Sequence, residues 1–173
     1  TIHFFDEFDA AIYDEVVDAY IEILKKYLEL SKDLNIKLLN IHLNEGPIVT
    51  ISGNKNYLYE KEYDLYIKRL INNLNKIKKI TDLYGIKLVL ENVKTPKFIQ
   101  KTYNDLLNQG FMFNYDIGHD NNDNDQLFNI IKTIPLKFDE FHIHDGNKKT
   151  CHLALSEGNI DIKYFKDLAI ENN

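Results

Sequence analysis

The chain has 173 residues, 44% hydrophobic and 28% charged, which suits one globular domain with a sizeable core. A single cysteine, Cys151, excludes a disulfide framework and favours a reducing, cytoplasmic setting; no apolar run approaches the ~20 residues of a membrane span, and no secretory signal opens the sequence. The formal net charge of −6 lowers the expectation of a nucleic-acid partner, because gripping a phosphate backbone usually takes a basic face.

In chain order, residues 1–5 read as a strand cut short by the chain start, which is Thr1 rather than Met. Residues 10–34 carry apolar side chains at helical spacing, among them Val16, Val17, Tyr20, Leu24 and Leu28. Residues 36–43 (IKLLNIHL) are rich in β formers and predict a second strand. The polar stretch with Gly46, Pro47 and Gly53 predicts a long loop, and 60–84 a second long helix closed by Gly85 at a C-cap position. Strands follow at 86–91 (IKLVLE), 111–116 (FMFNYD) and 138–144. Helices fill the intervals, from Pro96 to about Gln109 and from Asp123 to Ile134, with another at 161–170. Tyr13, Tyr20, Tyr27, Tyr63 and Tyr66 fall at helical spacing and are expected to pack helix against sheet.

Strands alternating with helices imply βαβ units and a parallel sheet. An open doubly wound sheet would often carry a glycine-rich phosphate turn after its first strand, and neither GxGxxG nor GxxxxGK[ST] occurs here. A closed (β/α)8 barrel is favoured. Five strands are fewer than its eight, so the expectation is a single partial barrel domain over 1–173, with first and last βα units lying outside it.

The histidines carry the chemistry. His3 lies in the first strand, His42 ends the second, His119 follows the fourth by three residues, His142 and His144 end the fifth, and His152 sits in the loop beyond. Glu91 and Asp116 terminate the third and fourth strands in apolar contexts, LVLEN and FNYD. In a parallel barrel all strand C-termini share one face, so these residues converge. A buried carboxylate is costly unless it is paired, and a divalent ion that takes anionic oxygen and neutral imidazole relieves that cost. Mixed His and Asp/Glu ligands suit Zn²⁺, Mn²⁺, Co²⁺ or Fe²⁺ alike. Plainer readings stand beside this one. Glu91 could pair with a lysine, Asp116 and Gly118 could form a turn, His144 and Asp145 could orient His142, and Cys151 beside His152 could be a soft ligand or incidental.

At these residues the sequence resembles the xylose isomerase-like TIM-barrel superfamily, which holds sugar isomerases and epimerases as well as endonuclease IV. The matching segments are IHLNEG, LVLENV, YDIGHD, FHIHDG and HLALSEGNIDI; the last is similar to the H-x-x-x-G-x-G-x-I-D loop of the family, with Ser156 where glycine is usual. The resemblance implies Glu91, Asp116 and His142 as three ligands of a shared metal, the fourth being a glutamate on a last strand beyond Asn173. It implies His119, His144, His152 and Asp145 near the substrate.

Two branches of the superfamily give two enzyme readings. In one, a single ion polarises a small sugar or sugar phosphate, and Glu91 is one of two glutamates that move a proton beside its carbonyl. In the other, endonuclease IV-like zinc ions cleave abasic DNA. His3, His42 and Glu91 then match one zinc site, and His119 and His152 match two ligands of another whose third, an aspartate, is replaced by Thr150. Thr150 and the acidic charge favour the isomerase branch; His3 and His42 favour the nuclease. A third reading is a non-catalytic metal- or sugar-binding barrel. The sequence leaves open whether copies associate as a homo-oligomer.

Overall fold

The computed structural model describes residues 1–131 and 138–171. Its elements are β1 (Ile2–His3), α1 (Asp14–Asp33), β2 (Leu38–Leu43), β3 (Ile48–Ile51), β4 (Asn54–Tyr57), α2 (Leu58–Lys61), α3 (Tyr63–Leu83), β5 (Lys87–Asn92), α4 (Lys97–Leu107), β6 (Met112–Asp116), α5 (Ile117–Asn122), α6 (Gln126–Ile131), β7 (Glu140–His142) and α7 (Ile162–Glu171).

Five strands form one parallel sheet in the order β1-β2-β5-β6-β7. A doubly wound sheet reverses its order at a switch point. Here the order follows the chain throughout, as in a barrel wall. The sheet is also curled. In a flat sheet the outer strands β1 and β7, four spacings of ~4.8 Å apart, would stand about 19 Å from each other. The rings of His3 on β1 and His142 on β7 nevertheless lie 6.1 Å apart, and Thr1 hydrogen-bonds Glu140 across the same gap. The fold is a partial TIM barrel.

Strand alternation divides the wall into two faces. Leu39, Ile41 and Leu43 of β2, Leu88 and Leu90 of β5, and Phe113 and Tyr115 of β6 join the buried core under the helices. Helix α1 meets them with Val17, Ile21, Leu24 and Leu28, and α3 with Tyr66, Leu70, Leu74 and Ile77, both at three- and four-residue spacing. The residues between, Asn40, His42, Glu91, Asn114 and Asp116, belong to the inner face. Gly85, at φ +67°, follows α3 as a helix stop needs.

Several expectations are corrected. The presumed loop after β2 contains the antiparallel hairpin β3–β4, whose turn residues Ser52 and Gly53 both have positive φ, 50° and 80°. That is the backbone twist favoured in two-residue hairpin turns. A short helix, α5, follows β6 directly, so His119 lies on a helix rather than in a loop. The next helix begins at Gln126, not Asp123; Ile134 and Pro135, its expected end, lie outside the described residues. His144 sits two residues beyond β7 rather than in it. Tyr13 is 66% exposed at the N-cap of α1, held under the Arg69 guanidinium instead of packing on the sheet.

Candidate metal centre

The register of the sheet delivers the site. His42 pairs with Glu91 and Asp116 with His142, so neighbouring strands end on chemically active side chains at one level. They open into a cavity of about 540 Å³ lined by His3, His42, Glu91, Asp116 and His142, with His119, His144 and His152 on its rim. Asp6, which sequence reasoning missed, also lines it; its carboxylate lies 3.5 Å from His3 and 4.0 Å from His42.

Glu91 is the hub, with 1% of its surface exposed. Its Oε2 accepts from Asn40 Nδ2 and from Asn114 Nδ2 at 2.9 Å, and faces His142 Nδ1 at 3.0 Å and His3 Nε2 at 3.2 Å. Its Oε1 faces His119 Nδ1 at 3.4 Å and His42 Nε2 at 3.7 Å. Burial favours the neutral acid, but hydrogen bonds from His142, His3 and His42 outweigh it and hold the carboxyl well below its usual range. In return the Glu91 hydrogen bond, working against burial, pushes His3 up to about 9, and it raises His142 as well. Asn40 and Asn114 were also missed. The parity of the strands could have found them, because both fall on the inner face with Glu91.

Asp116 both caps α5 and faces the cavity. Its Oδ1 accepts the His119 backbone N–H at 2.7 Å and lies 2.9 Å from His144 Nε2; its Oδ2 lies 3.8 Å from His142 Nδ1. The side chain of Asn92 braces the backbone of Asp116 with two hydrogen bonds of 2.9 Å. His119 Nδ1 is 3.0 Å from the Asn92 carbonyl. A carbonyl only accepts, so that nitrogen carries a proton.

Asp145 departs from the expectation. It is buried and stands apart from the cavity, and its two oxygens take the backbone N–H groups of Gly146, Ser156, Gly158 and Ile160 at 2.8–3.1 Å. No acceptor is left for a substrate, so Asp145 organises the loop that carries His152. His152 is exposed at φ 60°, stacks on His144 at 4.0 Å, and places Nε2 3.2 Å from His119 Nε2. Burial, and the facing His144 and His119, push its pKa down.

Residues 7–173 match the family model described as xylose isomerase-like TIM barrel. The chain belongs to that family. Among solved structures, this xylose isomerase-like barrel is similar to a D-tagatose 3-epimerase-like protein, with TM-score 0.68 and 22% identity over 96% of this chain and 65% of that one. It is also similar to the IolI protein with a bound zinc atom, at TM-score 0.66 and 16% identity over 99% of this chain and 61% of that one. A third match is 3-keto-D-glucoside 4-epimerase YcjR from E. coli in its apo form, at TM-score 0.59 and 15% identity over 86% and 57%. The chain thus spans less than two thirds of the length of each of these structures. No curated protein matches it.

The donor set fits a divalent ion. Ligand atoms of His3, Glu91 and His142 lie within 4.8 Å of one another, as do those of His42, Glu91 and His119, and those of Asp116, His119 and His144. The expected trio of Glu91, Asp116 and His142 meets at His142. Its Nδ1 lies 3.0 Å from Glu91 Oε2 and 3.8 Å from Asp116 Oδ2, near the ~3.3 Å between two ligands on one tetrahedral zinc.

Proposed function

We propose that the protein is a divalent-metal-dependent isomerase or epimerase of a small sugar or sugar phosphate. The observation that carries this reading is the division of labour on Glu91. Its Oε2 is held by the Asn40 and Asn114 amides, while Oε1 stays on the cavity side between His119 and His42. Glu91, Asp116 and His142 would hold Zn²⁺, Mn²⁺, Co²⁺ or Fe²⁺. Bound there, the ion would polarise the substrate carbonyl and neighbouring hydroxyl and so acidify the intervening C–H.

The side chains perform the rest. Glu91 Oε1 takes or returns the proton on carbon, within a carboxylate that two amides keep from rotating. His42 and His119 flank that oxygen and suit hydrogen bonding to sugar hydroxyls. His144 keeps Asp116 aimed at the cavity through the 2.9 Å contact. The cavity, about 540 Å³, falls in the usual ~300–1,000 Å³ range for small-molecule sites. The named similarities to two sugar epimerase structures support this substrate class.

One observation favours a second reading. His3 and His42 both approach Glu91, which gives more imidazoles than one ion needs and suits an endonuclease IV-like zinc phosphodiesterase. Full-length protein reconstituted with each metal should be assayed for ketose epimerisation and for cleavage of abasic-site DNA, with bound metal counted in the same samples. Epimerisation that tracks metal content supports the proposal; metal-dependent strand cleavage without epimerisation overturns it.

A further inference from the structure

A second cavity, of about 400 Å³, lies among the helices and shares no lining residue with the metal centre. Its walls come from the turn before α1, from Pro47, from α2 and from the first turns of α3. Ile12, Pro47, Leu58 and Leu65 make it largely apolar, and Leu58 and Leu65 are 41% and 49% exposed. Arg69 sets its polarity. It is the one arginine of a chain with 21 lysines and arginines. Its guanidinium lies over the Tyr13 ring at 5.1 Å, which orients the planar fork. Among the described residues no carboxylate forms an ion pair with that fork and no oxygen accepts its N–H groups; Asp9 acts on it only at longer range.

The cavity is preformed. Gly46, at φ +70°, leaves no room for a Cβ against the Tyr59 ring. That ring stacks on Tyr66 at 4.7 Å, and its hydroxyl donates to Asp9 Oδ2 at 2.6 Å. Asp9 Oδ1 takes the Ala11 N–H at 2.8 Å. Both Asp9 oxygens are thereby engaged from within the protein, whereas the donors of Arg69 are not. A ligand that completes this cavity brings the acceptor, and walls fixed in advance cost it little ordering on binding.

We propose that the cavity binds a small monocarboxylate with an apolar body, the carboxylate on the Arg69 fork and the aliphatic or aromatic part against Ile12, Leu58 and Leu65. A carboxylate meets a guanidinium in bidentate geometry, and one guanidinium neutralises one such charge. Lys61 on the rim is offset by its neighbour Glu62, so a phosphate dianion would stay under-neutralised between apolar walls. The volume falls in the usual ~300–1,000 Å³ range for small-molecule sites. The site does not depend on which reaction the Glu91 centre performs.

Because Arg69 is the one arginine, its modification by phenylglyoxal, read by peptide mass, reports this cavity and not a carboxylate held at the metal centre. Acetate, hexanoate and 4-phenylbutyrate are tested as protectants of the full chain. Beside them stand 4-phenylbutanamide, which keeps the apolar body without the charge, and 4-phenylbutylamine, which reverses the charge. The expected result is labelling slowed at least ~10-fold by 4-phenylbutyrate, less by hexanoate, and unchanged by acetate, the amide and the amine. Protection by no carboxylate, or equal protection by the amide or the amine, overturns the proposal. Calorimetry with 4-phenylbutyrate should show one equivalent that Glu91→Gln retains. Arg69→Gln should weaken it at least ~10-fold, and so should Leu65→Asp, a half-exposed position where the change spares the core. Unchanged affinity in either variant overturns the site.

Discussion

Gly118 lies directly against the imidazole of His144, so that a Cβ at position 118 would overlap the ring. Alanine normally stabilises a helical position relative to glycine by ~0.5–1 kcal/mol. Here the expected outcome is the opposite for function. Gly118→Ala should push His144 off Asp116 and weaken binding of the ion proposed at Glu91, Asp116 and His142 by ~10–100-fold, with helical content retained. Calorimetric metal titration beside circular dichroism checks this.

Glu91→Gln keeps the shape of the side chain and removes its charge. Turnover should fall by at least ~10²-fold, and the ion of the Glu91 centre should be lost, because both proposed roles of Glu91 need the carboxylate. Metal analysis and steady-state kinetics on the same preparation read both effects. A variant that keeps full metal and full rate would remove Glu91 from the mechanism.

Asp145→Ala strips the acceptor from the amides of Gly146, Ser156, Gly158 and Ile160. Local opening should follow, with hydrogen exchange at Ser156, Gly158 and Ile160 accelerated ~10-fold or more while the strands stay protected. If those amides exchange as in the wild type, Asp145 does not organise the loop.

Asp9 links folding to pH away from the metal centre. It accepts from Tyr59 Oη at 2.6 Å and from the Ala11 N–H at 2.8 Å, yet burial outweighs both and raises its pKa above 3.8. A raised acid binds more protons folded than unfolded. Its contribution to stability is therefore fully present below 3.8 and lost as pH rises through the higher folded value. Denaturant melts should show Asp9→Asn gaining on the wild type as pH rises from acid toward neutral. A difference that stays constant with pH would show that Asp9 does not titrate in the folded protein.

The barrel wall was legible because its cause is local. Alternating apolar residues in IKLLNIHL and IKLVLE specify strands, and the chain-order pairing of parallel strands then brings His42, Glu91, Asp116 and His142 together without further information. What escaped depended on tertiary context. The hairpin of Ile48–Ile51 and Asn54–Tyr57 was hidden by its asparagines and glycine, although IVTI followed by Ser52-Gly53 does spell strand then turn. Asp145 reads as a substrate-side residue in FHIHDG because its sequence neighbours belong to the site; that it turns away to gather four amides is visible only when the loop has closed on it. Asn40 and Asn114 look inert in sequence, and acquire their role only once Glu91 lies between them.

The donors around the cavity ride on the strand ends of the curled sheet or on the segments just past them, His119 on α5. A codon change at one loop tip therefore exchanges one donor and leaves the others in register. In the sequence, Thr150 and Cys151 directly precede His152, so a hydroxyl and a thiol residue are neighbours there. A wall of this kind can exchange a single donor while the packed helices behind it keep their contacts.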